Sequence, residues 1–219
     1  MMKRIVRRRI NLRGTSHAAI GAATGFIAAN MVQSSPTETV LLVALGSISG
    51  LIPDLDIEGK LRGKITLSHK MIKLSAHIIG ILMIVYSFME QTASQRGFGI
   101  GFGLLIMAIA SFIKQKHMLT LTGIAVLFGG VSLEEQWMIL LGIYIGIASF
   151  SSHRTYTHSI IGAIFFSFIA TEFESSIGIN GIFYACIGGY VSHLLADMKV
   201  LPVNKRGVKL FLPLSSKEF

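Results

Sequence analysis

Charged side chains and cysteine are both scarce in this 219-residue chain, and each scarcity excludes a class of protein. Only 14% of the residues are charged, whereas a soluble domain is about a quarter charged, so a water-soluble domain is excluded. The single cysteine, Cys186, excludes an internal disulfide framework, and its apolar neighbours predict a small core residue. Hydrophobic residues make up 52% of the chain and the mean hydropathy is +0.64. These values predict a membrane protein with several spans.

Several catalytic patterns are also missing from the sequence. It contains no glycine-rich phosphate loop and no obvious Ser/His/Asp arrangement, although Ser159 directly follows His158. There is no clear internal repeat and no low-complexity linker. We therefore expect one integral-membrane domain, with a basic cytoplasmic arm at 1–13, a helix bundle at 14–197 and a cytoplasmic tail at 198–219.

The apolar runs predict the membrane spans. Several runs are shorter than the ~20 residues that cross a bilayer untilted. We therefore expect about eight spans, with five to seven as the alternatives if short runs pair or lie re-entrant. The expected fold class is an all-α, polytopic transmembrane helix bundle. The runs are 17–33, 38–53, 74–90, 98–113, 118–132, 136–151, 159–172 and 177–195.

The distribution of basic residues tests this count of eight. If the N-terminus is inside and the loops alternate, only Arg96 of the 20 lysines and arginines falls outside. Basic residues bias loops to the cytoplasm, so both termini are predicted to be cytoplasmic. The basic arm before the first span also resembles a secretory signal peptide, but its six basic residues favour a retained anchor. We expect the arm to contact anionic lipid headgroups rather than nucleic acid.

Three polar clusters lie at the ends of apolar runs, at 53–56, 153–159 and 193–197. Carboxylates and imidazoles are costly in or beside lipid, so their presence favours a functional explanation. With eight spans, all three clusters fall on the cytoplasmic side, and His17 at the start of the first span joins them. Residues that are far apart in sequence can form one site there.

The spacing within two clusters fits metal binding. His193 and Asp197 are four residues apart and share one side of a helix, so they can supply two ligands, or one ligand and its orienting partner. Asp54 and Asp56 face the same side if the backbone after Pro53 is extended. The structural alternatives are a local His–Asp hydrogen bond at 193–197 and a solvated helix end at 53–56.

The third cluster needs a turn to bring its histidines together. His153 and His158 diverge by about 140° on an unbroken helix, but converge if 155–157 form a turn. In that turn Thr157 would cap the next span. Arg154 carries a planar donor fork that suits a phosphate or carboxylate. The structural alternatives are an interfacial anchor at 153–159 and a headgroup-facing role for His17.

The mixture of imidazole and carboxylate groups indicates which metal to expect. Such ligands suit Zn²⁺, Mn²⁺ or iron better than Mg²⁺ or Ca²⁺, which prefer oxygen shells. The expected cofactor is a divalent metal ion, zinc or manganese rather than magnesium. The number of candidate ligands is enough for one metal ion with supporting residues, or for two metal ions. The candidate ligands are His17, Asp54, Asp56, His153, His158, His193 and Asp197.

These clusters, in this order, resemble those of the YdjM-type family of membrane-bound, metal-dependent hydrolases from bacterial inner membranes. The most specific match is His153-Arg154-Thr155-Tyr156-Thr157-His158-Ser159. The other matching elements are Ser16-His17 with Gly21, the segment 50–56, the segment 189–197 and the tail 207–213. The resemblance implies a hydrolase in the bacterial cytoplasmic (inner) membrane, without naming its substrate.

We therefore expect an integral-membrane metallohydrolase with its site at the cytoplasmic interface. Asp56, Arg154 and His158 are expected to act directly in catalysis. A carboxylate that does not bind metal would act as general base, and Arg154 would steady an anionic group as charge develops. The depth of the site and its basic surroundings favour a phosphoester or lipid-linked substrate, with membrane lipids as partners. The sequence leaves the oligomeric state open.

Two other functions remain open from the sequence. The first is a metal-ion or small-solute transporter, although transporter sites usually lie near the bilayer midplane and these clusters lie at span ends. The second is a non-catalytic membrane protein whose polar clusters are structural or regulatory.

Overall fold

Helices are the only regular secondary structure in the described part of the chain. The computed structural model describes residues 14–55, 69–89, 92–112, 115–151, 155–199 and 207–219. These residues form eight α-helices and two short 3₁₀ turns, at Ile52–Leu55 and Tyr156–His158, with no strand. The expected all-α class is confirmed. The helices are α1 Gly14–Met31, α2 Pro36–Ser49, α3 His69–Ser87, α4 Ala93–Phe112, α5 Gln115–Leu133, α6 Gln136–Phe150, α7 Ile160–Ile177 and α8 Ile182–Asp197.

Each predicted apolar run coincides with one helix. Among the described residues, three helical stretches are long and apolar enough to cross a membrane: Lys70–Ser87, Ala93–Phe112 and Ile160–Ile177. Three further helices are apolar but shorter than these, namely Pro36–Ser49, His117–Leu133 and Gln136–Phe150. The number of spans and the side of the termini stay predictions.

Glycines allow α1, α2 and α8 to approach very closely. A Cβ atom added to Gly21 of α1 would lie 2.3 Å from the carbonyl oxygen of Gly46 in α2, and one added to Gly189 of α8 would lie 2.3 Å from the same oxygen. These contacts are with backbone, which cannot move aside. Small residues let helices approach closely in lipid, and here they bring α1 and α8, which carry candidate ligands, against α2.

Aromatic and aliphatic side chains fill the space between α2, α6, α7 and α8. Tyr144, Phe166 and Tyr190 are buried in one cluster with Leu42, and the ring of Phe166 stacks on that of Tyr190 with centroids 4.9 Å apart. Cys186 belongs to this cluster and is 4% exposed, which confirms its prediction as a core residue. The core therefore packs against the C-terminal part of α8, which carries His193.

The segment 207–219, which we call the tail strap, is not helical. Val208 and Phe219 exchange backbone hydrogen bonds of 3.1 and 3.0 Å. The strap also accepts a hydrogen bond from the amide of Ile160, at the start of α7, and one from the amide of Lys199, just after α8. The Lys199 ammonium lies 3.1 Å from the Glu218 carboxylate, and its hydrogen bond lowers the pKa of Glu218.

Candidate metal centre

Five of the seven predicted ligands lie together in the structure. They are His17, Asp54, His158, His193 and Asp197, from α1, the 52–55 turn, the 156–158 turn and α8. The other two, Asp56 and His153, lie outside the described residues, as does Arg154. Segments that are more than a hundred residues apart therefore meet at one end of the bundle.

Two histidines face each other at the centre of this cluster. The Nδ1 atom of His193 lies 2.7 Å from the carbonyl oxygen of Gly50. Because a carbonyl only accepts, Nδ1 carries the hydrogen, and the Nε2 atom of the neutral ring is left with a lone pair. This Nε2 lies 3.2 Å from Nε2 of His158, so the coordinating nitrogens of the two rings point to the same place.

Two carboxylates lie beside this pair of nitrogens. Oδ1 of Asp54 lies 3.6 Å from Nε2 of His158 and 3.7 Å from Nε2 of His193. Oδ2 of Asp197 lies 3.8 and 3.7 Å from the same two atoms. Ligand atoms about 2.0–2.2 Å from one tetrahedral zinc ion would lie roughly 3.3–3.6 Å from one another. The donors and their spacing therefore fit a divalent cation.

His17 extends the cluster through the second oxygen of Asp197. Its Nε2 atom lies 3.5 Å from Oδ1 of Asp197, and its ring stacks on that of His193 with centroids 4.0 Å apart. Its Nδ1 atom is buried and has no hydrogen-bond partner among the described residues. His17 is 3% exposed, so the headgroup-facing interpretation is wrong. It is placed to orient Asp197 or to bind a cation itself.

Asp54 is more exposed to solvent than the other three central candidate ligands. The side chains of His158 and His193 are fully buried and that of Asp197 is 6% exposed, but that of Asp54 is 21% exposed. Grouped imidazoles and carboxylates lose hydration in such a site, and the loss is large unless opposite charge compensates it. A cation would provide that compensation, and the side of Asp54 is where solvent reaches the cluster.

The 52–55 turn places Asp54 in a way that the sequence did not predict. Extended backbone after Pro53 was the condition under which Asp54 and Asp56 would face the same side. Instead, residues Ile52–Leu55 form a 3₁₀ turn in which the Asp54 amide donates to the carbonyl of Leu51. Pro53 is buried, so packing of its ring favours the tight turn over an extended strand.

The 156–158 turn confirms one prediction and corrects another. Residues Tyr156–His158 do form a turn, but Ser159 caps α7 rather than Thr157: its hydroxyl oxygen accepts from the Gly162 amide. Thr157 instead contacts a candidate ligand, because its hydroxyl lies 3.2 Å from Nδ1 of His158. The Ser159 hydroxyl donates to the carbonyl of Tyr156. Ser159 is therefore a helix cap and not a nucleophile beside His158.

Sequence reasoning missed two buried tyrosines that hold the turn. The Tyr190 hydroxyl donates to the carbonyl of Thr157, and the Tyr144 hydroxyl, 3.0 Å away, donates to the Tyr190 oxygen. Tyr190 precedes His193 by three residues, so the two lie on the same side of α8. That spacing is the one signal in the sequence that could have pointed to Tyr190.

The Tyr190→Phe variant tests this support. It removes the buried hydroxyl that bonds the Thr157 carbonyl and the Tyr144 hydroxyl, which costs about 1–3 kcal/mol, and it loosens the turn that carries His158. We expect metal affinity to fall about 10- to 100-fold, as when an orienting group is lost. Titration against a fluorescent chelator measures this loss. Tyr184→Phe, an exposed position on the same helix, is the control, and equal affinities in the two variants would contradict the assignment.

Fold and cluster together define a class: a helical membrane protein with a buried His/Asp site that can hold a metal ion. A model of the YdjM inner membrane protein family matches residues 12–219. The chain belongs to this family, which confirms the resemblance seen in the sequence clusters. No curated protein and no solved structure matches the chain.

Proposed function

We propose that this protein is a membrane-embedded, metal-dependent hydrolase with its site at the cytoplasmic membrane interface. The observation that carries the proposal is the facing pair of Nε2 atoms, 3.2 Å apart, with two carboxylates beside them in a largely apolar chain. His158, His193, Asp197 and Asp54 would hold a divalent ion. Asp56 and His153 are further candidate ligands from their place in the sequence.

The residues around the ion would divide the chemistry between them. A divalent cation would supply Lewis-acid catalysis, polarising the scissile bond and acidifying water. Asp54 is the partly exposed carboxylate, so it is placed to accept a proton from water as general base when it does not bind the ion. His17 would hold Asp197 through Oδ1. Arg154 and Asp56 keep the roles that the sequence suggests: Arg154 would bind an anionic group, and Asp56 would be a ligand or, when it does not bind the ion, the general base in place of Asp54.

The proposal includes an arrangement of the chain in the membrane. We propose a single domain, with the arm 1–13, the bundle 14–197 and the tail 198–219, in a bacterial inner membrane. One helix for each apolar run supports eight spans, and the segregation of basic residues supports cytoplasmic termini. A site at span ends would receive a phosphoester or lipid-linked substrate at the level of the headgroups.

The test combines metal analysis with a substrate panel. Detergent-purified wild type and Asp54→Asn are analysed for bound metal, then incubated with a phosphomonoester, a phosphodiester and a long-chain lipid phosphate. We expect bound zinc or manganese, and turnover that chelation stops and the metal restores. Asp54→Asn should lower kcat about 10²- to 10⁴-fold if Asp54 is the base. Absence of metal from the wild type, or turnover indifferent to both chelator and variant, would contradict the proposal.

Burial favours a second candidate, a structural metal site. Structural zinc sites are closed by four protein ligands, whereas catalytic sites keep an open position, and three of the four central side chains are at most 6% exposed. This alternative predicts tightly bound metal and a fall in Tm on chelation, with no turnover on any ester. The exposure of Asp54 is the reason that we favour catalysis.

A further inference from the structure

The tail strap is hydrogen-bonded beside two of the segments that carry buried candidate ligands. Its Leu210 carbonyl accepts from the amide of Ile160 at 2.9 Å, two residues after His158. Its Phe219 carbonyl accepts from the amide of Lys199 at 3.0 Å, two residues after Asp197. A displacement of the strap would therefore pull on two ligands at once.

The opposite side of the strap presents apolar side chains outward. The turn at 210–214 leaves Leu214 93% exposed and Phe211 46% exposed. The base of the strap is tightly packed by contrast: Val208 is fully buried, and a Cβ added to Gly207 would meet the carbonyl oxygen of Phe219. The strap thus has a fixed base and an apolar tip.

We propose that this tip, Phe211 to Leu214, inserts into the membrane interface and thereby holds the strap against the two ligand-bearing segments. The partner is the lipid surface of the membrane that contains the protein. The strap meets α7 at Ile160, the first residue of a stretch long and apolar enough to cross a membrane. The tip therefore lies where a bilayer would begin.

Charge near the tip matches the same partner. Lys209 and Lys217 flank the apolar residues, and Tyr156, at the same end of the bundle, is 47% exposed. Apolar side chains between lysines suit an interface in which acyl chains lie beneath anionic headgroups. Aromatic side chains such as Tyr156 are enriched at that level. A protein partner would have to displace these lipids to reach the tip.

Spin labelling tests the insertion. Leu214→Cys and Ser216→Cys are made in a Cys186→Ala background, labelled with a nitroxide and reconstituted into vesicles of equal parts phosphatidylglycerol and phosphatidylcholine. Dioxygen concentrates in lipid, and a water-soluble nickel chelate does not enter it. We expect the label at 214 to collide mainly with dioxygen and the label at 216, also exposed, mainly with nickel. Equal nickel accessibility at the two positions would overturn the proposal.

A second measurement tests the link to the ligands and rests on the proposed metal site. Leu214→Asp and Ser216→Asp are compared in the same vesicles for metal retained during dialysis against a chelator. We expect Leu214→Asp to lose metal about tenfold faster than Ser216→Asp, since loss of a group that supports a ligand lowers metal affinity about 10- to 100-fold. Equal retention of metal by the two variants would overturn the link between strap and ligands. If the wild type binds no metal, the metal site fails, while the spin-label result still decides the insertion. A Leu214→Trp variant in a Trp137→Phe background, quenched by brominated lipid, repeats that test without an introduced cysteine.

Discussion

Replacing His193 with alanine is expected to lower the affinity for zinc by more than about 100-fold. Loss of a residue that merely orients a ligand costs about 10- to 100-fold, and His193 contributes more than orientation. Its Nε2 faces His158, Asp54 and Asp197, and its Nδ1 is fixed by the Gly50 carbonyl. Alanine cannot bind a cation, so the variant lacks the nitrogen that lies between His158, Asp54 and Asp197.

The measurement is competitive titration with a fluorescent zinc chelator in detergent. His117→Ala is the matched control, because His117 is exposed on α5 and lies in neither of the metal-binding groups found among the described residues. The control should bind zinc as the wild type does. Similar zinc affinities for His193→Ala and the wild type would mean that the ion binds elsewhere.

The Gly189→Ala variant is expected to lose the metal although it changes no ligand. The added methyl group would lie 2.3 Å from the carbonyl oxygen of Gly46 and 3.1 Å from the amide nitrogen of Gly50. Both atoms are backbone, so α8 must move away from α2. That movement stretches the bond between His193 and Gly50. Overpacking of this kind costs about 1–3 kcal/mol, sometimes more, and we expect the upper end here.

Gly101→Ala on α4 is the control for this prediction, since a Cβ there has nothing within 4 Å. Both variants are compared by thermal unfolding in detergent and by metal content. Gly101→Ala should keep the Tm and the metal of the wild type, while Gly189→Ala should lower both. A Gly189→Ala protein with unchanged Tm would show that the close approach of α2 and α8 is not needed.

Local sequence rules predicted part of this site well. The spacing of His193 and Asp197 predicts two side chains on one side of a helix, and their nearest N–O distance is 3.7 Å. A turn at 155–157 was the condition under which His153 and His158 would converge, and a turn is present one residue further on, at Tyr156–His158. Both features depend on residues within one turn of each other, which is the range over which helix and turn rules apply.

The remaining features depend on tertiary contacts and could not be predicted in the same way. Thr157 was a plausible cap by residue type, but its carbonyl accepts from Tyr190, 33 residues away, and Ser159 caps the helix. The orienting partner of His193 is the carbonyl of Gly50, 143 residues away. No side-chain pattern marks a backbone carbonyl as a partner, so only the folded arrangement reveals it.

The number of membrane spans is another feature that the sequence alone does not determine. Hydropathy located the eight α-helices of the described residues, because apolar runs persist whether a helix crosses lipid or packs on its neighbours. It does not separate a span from a shorter buried helix. α6 has 15 residues and α2 has 14, below the ~20 that an untilted span needs, and both pack in the core through Tyr144 and Leu42.

X-ray absorption at the zinc edge of the zinc-loaded, full-length protein tests the central claim most directly. If His158, His193 and the two aspartates bind one cation, the first shell contains only nitrogen and oxygen at about 2.0–2.1 Å, and the outer scattering fits two imidazole rings. A first shell without imidazole scattering would contradict the claim. Sulfur at about 2.3 Å would also contradict it, because Cys186, the single cysteine of the chain, is not one of the proposed ligands.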